Sequence, residues 1–487
     1  MSALANPVIQ REVNFGGNLT WQTRCYRPAS EAEVLDILAR HAAGRIRVLG
    51  SKHSWSDIAV SGEVSLDMSL FDDVQPFVQD GQGFVRVGAG STLQSLLDRL
   101  HRATDQTLPT LGAIKKQTIS GAISTGTHGS GRQSLSHFVT RVRLAAYDPS
   151  TGRPTIYDYT DGDELRAARC GLGCMGVILS VELPTVPKYK VAEVLQKRDC
   201  LEQVLKAYVE KPLSQFLWTP YGWKWIVIER KPVGQPTPTI GGFIKARFMR
   251  LYNTVGQDIL FHLFVIASRW GGARLVKWFL RFAPSIVLRK VERIDDAERV
   301  LTLGHDAFRH EEMELFVRES RLAETRSMLR CVVEAFASRG TTISPDDEQP
   351  LQRIGMLDEL RAHRGRYVHH YPLTFRRVLP EDTLISMAAS VDEPIYSVSL
   401  FTYDPPARRE PYYEFCSVLA RILLRLVDAR LHWGKHFPLQ YADIAALYPE
   451  METFRGLSCR NDPGGVFRND YTKRVLGLAP GGLEQAR

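Results

Sequence analysis

The sequence predicts an α+β fold in two domains, and three observations carry that expectation. The chain has 487 residues, more than one hydrophobic core usually accommodates. Its hydrophobic content of 44% and charged content of 24% are those of an ordinary globular protein and argue against disorder. Short β-branched runs recur between helical and Gly-rich stretches. Residues 45–49, 83–87, 140–144, 177–183 and 224–229 read as strands, and residues 163–169 as the end of a helix. No internal repeat or low-complexity tail interrupts the pattern.

The first strand, Arg45-Ile46-Arg47-Val48-Leu49, breaks at Gly50 into a loop of small and polar residues, Gly50-Ser51-Lys52-His53-Ser54, followed by Trp55. Such loops turn backbone N–H groups toward an anion, a diphosphate among them, and place an imidazole beside a ligand rather than inside a core. Taken alone, the plainer reading of His53 is a loop histidine without a role.

A second segment changes that balance. From Leu111-Gly112-Ala113-Ile114 the chain runs through Gln117 to Ser120-Gly121-Ala122-Ile123-Ser124-Thr125-Gly126-Thr127-His128-Gly129. Small residues let the backbone approach a flat, phosphorylated ligand closely, and each hydroxyl adds a donor. A flexible linker lacks placed anchors such as Ile119 and Ile123, and is not bracketed by strands.

Together these residues resemble the FAD-binding domain of the vanillyl-alcohol-oxidase (PCMH) type of flavoprotein, in its aldonolactone oxidase and alditol oxidase branch. That branch carries a Gly-x-x-His-Ser loop and a Leu-Gly-Ala…Gly-Thr-His-Gly segment. Asn14-Phe15-Gly16-Gly17-Asn18 resembles its opening, and Tyr26-Arg27-Pro28-Ala29-Ser30 leads into its first helix. His432-Trp433-Gly434-Lys435 resembles its C-terminal signature, and Asp462-Pro463-Gly464, Phe467 and Asn469 its last segment. The middle third matches less well.

The resemblance implies a PCMH-type flavin domain over residues 1–187, an antiparallel-sheet cap over 188–425, and a return to the flavin site from 426 onward. It implies FAD bound covalently through His53, held by Gly50, Ser51, Lys52, Ser54, Leu111, Gly112, Gln117, Ser120, Gly121, Ser124, Thr125, Gly126 and Thr127. Gly176, Val177 and Ile178 would lie beside its adenine end, and His128 would be structural. The implied chemistry is hydride transfer from an alcohol carbon to flavin N5, which the cofactor carries while the protein orients substrate and supplies charge. Lys435 would place positive charge near flavin N1, with His432 next. Gly112, a small residue opposite flavin C4a, favours oxygen as the electron acceptor. In the family a Glu-x-Arg pair on a cap strand binds the polyol or lactone. Here Arg376 keeps the Arg, but Thr374 stands where the Glu belongs, and the cap His of alditol oxidases has no counterpart in residues 396–402. Loss of a carboxylate weakens the case for a plain polyol. Glu312 and Glu314 resemble the family's Glu-Met-Glu segment, where cap architecture explains them as well as catalysis does.

Gly171-Leu172-Gly173-Cys174-Met175-Gly176 is formally a dinucleotide fingerprint, but that motif needs a strand before it and a helix after it. The expected order here is reversed, so the run reads as a helix-to-strand turn.

The net charge of +8 is concentrated. Nine basic residues and one acid, Asp258, lie between Lys245 and Lys290, so the rest of the chain sums to zero. The same block is strongly apolar, although its run at 259–267 is shorter than the about 20 residues that span a bilayer. From Arg274 to Phe282, Arg274, Lys277 and Arg281 share one helical face, and Leu275, Trp278, Phe279 and Phe282 the other. Two readings stay open: an amphipathic helix packed on the cap with its basic face in water, or an interfacial helix drawn to anionic lipid at about 1 kcal/mol per basic residue. Nucleic acid is not expected, because the aromatics face away from the charges.

Seven cysteines without zinc-like spacing, and no visible signal peptide, point to reduced thiols and a cytoplasmic enzyme, with peripheral membrane contact left open. No metal is expected, and the oligomeric state is not legible. Three readings follow: an FAD-linked oxidase of a sugar-derived lactone or polyol, a membrane-associated relative acting on a lipid or lipid-linked alcohol, and a flavoprotein scaffold without turnover.

Overall fold

The computed structural model describes residues 6–234, 272–285, 292–303, 308–479 and 482–483, with residues 247, 248, 251, 263, 265 and 266. Most of the basic block at 245–290 thus lies outside the described residues.

The N-terminal part contains two sheets. In the four-stranded sheet, Val8–Val13 pairs antiparallel with Thr20–Tyr26, followed by Val64–Asp67 and Ile46–Leu49 in parallel. The five-stranded sheet runs Val74–Gln79, Gln82–Gly88, Val177–Pro184, Arg141–Tyr147 and Pro154–Tyr159, all antiparallel. Helix Glu31–Arg40 begins where the Ser30 hydroxyl accepts from the Glu33 N–H, and it buries Val34, Ile37 and Leu38. Helix Leu93–Ala103 is capped by Thr92 and buries Leu93, Leu96, Leu97 and Leu100. Both show the i, i+3, i+4 spacing that drives a helix onto a sheet.

The Gly171–Gly176 run lies between helix Gly162–Arg169 and strand Val177–Pro184, in the helix-then-strand order. Its left-handed residues Leu172 (φ 51°) and Gly173 (φ 70°) turn the chain back.

The cap is an eight-stranded, wholly antiparallel sheet in the order Arg293–Asp296, Lys190–Arg198, Lys224–Val233, Gln215–Thr219, Leu373–Val378, Ile395–Thr402, Glu311–Arg318 and Arg430–Leu431. Stacked rings stiffen its centre, with Phe216 and Phe375 centroids 4.9 Å apart and Trp218 and Trp225 at 5.0 Å. On Glu311–Arg318 the side chains alternate. Met313, Leu315 and Val317 join the core, while Glu312 and Glu314 turn toward the flavin-type domain. After Arg430–Leu431 the chain crosses back, and helices Met451–Asn461 and Asp470–Leu476 dock on the N-terminal part. Asn469 Nδ2 fastens them by donating to the Asp57 and Val60 carbonyls at 2.8 and 3.0 Å.

Two local expectations change. Residues 345–350, whose acidic, Pro-bracketed composition predicts a loop within the cap, instead open helix Pro345–Arg353. Ser344 caps it, Pro345 sits in the first turn, and Asp346, Asp347 and Glu348 favour the positive helix end. Helix Gly272–Phe282 forms as expected, but its faces divide differently. Val276, Phe279 and Leu280 pack on Tyr221 and Val368, while Leu275, Trp278 and Phe282 stay exposed. Lys277 does not face open water: it donates to the Ala337 carbonyl and lies 5.5 Å over the Tyr221 ring.

All seven cysteines are free. Cys170 is buried, and burial pushes its thiol well above the usual range, so the Cys170/Cys174 spacing reflects packing and not a reactive pair.

Candidate active site

The strand Ile46–Leu49 delivers the His53 loop to the wall of a large cavity between the two domains. The loop is closely braced. A Cβ on Gly50 would fall 2.6 Å from Thr118 Oγ1, so only glycine lets the two loops meet. Lys52 adopts φ 58°, and its ammonium pairs with Glu12 at 2.6 Å. The His53 ring stacks on Phe15 with centroids 5.2 Å apart.

The same loop is stitched to the C-terminal signature. Ser54 Oγ and the Trp55 N–H both donate to the Gly434 carbonyl, at 3.0 and 2.9 Å, and Ser56 Oγ donates to the Trp433 carbonyl at 2.7 Å. Lys435 therefore sits beside His53's loop, its Nζ 4.1 Å over the Trp55 ring and ion-paired with Glu312.

Three buried groups gather next to it. His128 Nδ1 meets the Gly129 carbonyl at 2.9 Å, and its Nε2 lies 3.3 Å from Glu314 Oε1. His432 completes the group, with all three potential ligand atoms within 4.8 Å of one another. The Gly434 N–H donates to His432 Nδ1 at 3.0 Å. Burial lowers the His432 pKa to about 3, so the ring is neutral and carries its proton on Nε2. That tautomer makes Nε2 a hydrogen-bond donor, which suits a polar ligand better than a metal ion. Burial alone would raise Glu314, but His128 and Lys435 outweigh it and hold the carboxyl well below the usual range. Burial raises Glu312, with Lys435 opposing it.

Of the residues expected to hold the cofactor, Gly50, Ser51, Lys52, His53, Ser54, Gln117, Ser120, Gly121, Ser124, Thr125, Thr127, Gly176 and Ile178 line the cavity, as do His432 and Lys435. Others do not reach it. Gly112 is pressed against Thr127, where an added Cβ would fall 2.5 Å from Cγ2, and Gly126 against Met387. Val177 alternates away from Gly176 and Ile178 into the core. Leu111 and Arg376 wall a second, smaller cavity. Thr374 is buried and lines neither. Thr374 pairs with Ser399 and Ser399 with Glu314, so all three share one cross-strand row. The carboxylate missing at 374 is thus matched by Glu314, two strands away. His432, expected as a secondary source of positive charge, is corrected to a neutral donor.

Sequence reasoning missed Arg47, the buried cation on the strand before the loop. Its Nη2 donates to the Leu172 carbonyl at 2.7 Å and its Nη1 to that of Phe467 at 2.5 Å. It forms no salt bridge among the described residues, and its buried Nε has no hydrogen bond. The signal was visible, since an arginine inside an otherwise apolar buried strand needs a reason. A cavity-lining guanidinium with an unspent donor fits a diphosphate.

Comparison with known proteins gives the same class. Residues 24–150 match an FAD-binding domain, and residues 181–475 match the D-arabinono-1,4-lactone oxidase family. The chain is an FAD-linked oxidoreductase acting on CH–OH groups. It belongs to the D-arabinono-1,4-lactone oxidase family. It is 39% identical over 467 residues to a long-chain alcohol oxidase of an uncultured marine euryarchaeote, covering 95% of this chain and 96% of the relative. It is 28% identical over 462 residues to L-gulono-1,4-lactone dehydrogenase of Mycobacterium tuberculosis (93% and 95%). To L-gulonolactone oxidase of Bos taurus it is 25% identical over 460 residues (93% and 94%). The fold resembles cholesterol oxidase from B. sterolicum, with TM-score 0.68 and 15% identity over 98% of this chain and 100% of that one.

Proposed function

We propose that the chain oxidises a hydroxyl-bearing carbon of a sugar-derived lactone or related alcohol, with FAD joined to His53 and oxygen as acceptor. The carrying observation is Glu314, a buried carboxylate in the cavity wall that is held ionised beside His128, whose Nε2 lies 3.3 Å from Oε1, and that keeps lone pairs for a ligand. An ionised acceptor of this kind suits a substrate hydroxyl. FAD, when bound, supplies the hydride acceptor. The chain does the rest. His53, Gly50, Ser51 and the residues 117–127 hold the cofactor, and Arg47 balances its diphosphate. Glu314 takes the hydroxyl's hydrogen bond, and His432 Nε2–H donates to a second substrate oxygen. Lys435, steadied by Glu312 and Trp55, places positive charge at the reacting end.

A second substrate class is favoured by a separate observation. Leu275, Trp278 and Phe282 form an apolar stripe on helix Gly272–Phe282, exposed by 37%, 53% and 52%, beside exposed Arg274 and Arg281. Such a face suits the surface of an anionic membrane, and with it a long-chain alcohol, as the name of the 39% identical relative also indicates. Among the described residues no helix is long and apolar enough to cross a membrane, so the contact would be peripheral.

Steady-state oxygen uptake with D-arabinono-1,4-lactone, L-gulono-1,4-lactone and a series of primary alcohols separates the two. Higher kcat/KM for lactones supports the first reading. Values that climb with chain length, and rise with anionic vesicles, support the second.

A further inference from the structure

Behind the Pro109–Ala113 segment lies a second, small cavity, which shares only Ala113 with the first among its lining residues. Its wall carries Arg132, Arg230 and Arg376 and, among the described residues, no Asp or Glu. Arg230 is spoken for, its Nε donating to Glu193 at 2.8 Å. Arg132 and Arg376 are not. Neither side chain forms a salt bridge or hydrogen bond among the described residues, and Arg132 Nε is buried without an acceptor.

The backbone brings these two residues together. Arg132 bridges Val378 in parallel register, two residues beyond Arg376. The Gly131 N–H donates to the Arg377 carbonyl at 2.6 Å, and the Leu379 N–H to that of Arg132 at 3.3 Å. Gly131 is obligatory there: it sits at φ +79°, and an added Cβ would fall 1.7 Å from the Pro212 carbonyl oxygen. The loop is therefore clamped to the cap strand with both arginines lining one space, which Tyr189, Gln215 and Thr110 also line.

Arg376 lies in the field of the Glu312 carboxylate, but neither guanidinium has a hydrogen-bonded counter-ion among the described residues, and such a pair is better accommodated around an anion than in an empty cavity. A guanidinium fork matches the oxygens of a carboxylate or phosphate, and neutral hydroxyl and amide groups can take the remaining lone pairs. We propose that this cavity is an anion-binding site that takes a carboxylate or phosphate monoester group between Arg132 and Arg376. The occupant is either a free small anion or the anionic end of a substrate that reaches past Ala113. The site stands independently of which alcohol is oxidised.

The test uses FAD-saturated protein, so that the cofactor's own diphosphate site is filled. Inorganic phosphate and malonate are titrated calorimetrically at constant ionic strength, with thermal unfolding followed in parallel. Saturable binding is expected, with a rise in the unfolding midpoint. Arg132→Gln is expected to weaken binding about tenfold or more and to lose the thermal rise. In anion-free buffer its own midpoint should equal or exceed wild type, because an unpaired cation has been removed; a merely structural arginine would lower it. Should Arg132→Gln fail to fold, Arg376→Gln carries the same expectation for binding. No saturable binding, or equal binding by wild type and variants, would overturn the proposal. Kinetics then separate the sources: phosphate that raises KM at constant kcat marks the substrate's anionic end, and phosphate that leaves KM unchanged marks a separate ligand.

Discussion

Lys435 and Glu312 form an ion pair between the C-terminal signature and the cap sheet, with 17% and 5% of their side chains exposed. The same ammonium caps the Trp55 ring of the His53 loop at 4.1 Å. One side chain therefore joins the three segments that build the site. Lys435→Met strands a buried carboxylate and should destabilise the protein by about 3–5 kcal/mol, with kcat lower by roughly 10²-fold. Adding Glu312→Gln should restore most of the stability but not the activity. Unfolding midpoints and turnover on the two single variants and the double variant check this. Activity returning together with stability would make Lys435 a purely structural residue.

Gly112 governs how the loop beside the cavity packs. Gly112→Ala puts a methyl group 2.5 Å from Thr127 Cγ2, so the loop must shift. Oxygen-dependent turnover should fall more than turnover with an artificial dye acceptor. Thr127→Ser removes the clashing methyl while keeping the hydroxyl. If Gly112→Ala/Thr127→Ser regains oxygen turnover, packing strain is the cause; if the loss persists, oxygen access is.

Three buried histidines make stability depend on pH. Burial lowers His369 and His432 to about 3 and His436 to about 4. Their unfolded values are about 6.5. The folded state keeps them neutral, so their contribution is fully present above about pH 6.5 and is lost as pH falls through the folded values. The unfolding midpoint should decline steadily from pH 7 to pH 4. His369, whose ring nitrogens are buried without hydrogen bonds, packs on Phe415 at 5.8 Å. His369→Phe should flatten the decline. An unchanged slope would mean other groups carry it.

Covalent attachment has its own readout. A denaturing gel of the holoenzyme should show flavin fluorescence on the protein band, and His53→Ala should release the flavin into the dye front while the variant still binds FAD. Fluorescence persisting in His53→Ala would place the linkage elsewhere.

Much of this was legible in the residues. The Gly-rich loops, the strands around them and the His432–Lys435 signature carry their local physics on their face, because turns and close backbone approaches demand particular small residues. The helix over 345–353 was missed because Pro, Asp and Glu crowd loops as readily as first turns. Glu314's place was hidden for a different reason. Its meeting with His128 and its row with Thr374 arise from pairing among strands far apart in sequence, which no local spacing encodes. The second arginine cavity was invisible for the same reason, since Arg132 meets the Arg376 strand only through tertiary register.

The most direct test of the account is anaerobic mixing of the holoenzyme with the lactones and primary alcohols, following the flavin's visible absorbance. The account predicts that at least one member of these classes bleaches the flavin rapidly, and that admitting oxygen restores the colour. A bound flavin that none of them reduces would contradict it and leave a flavoprotein that binds FAD without turning over an alcohol.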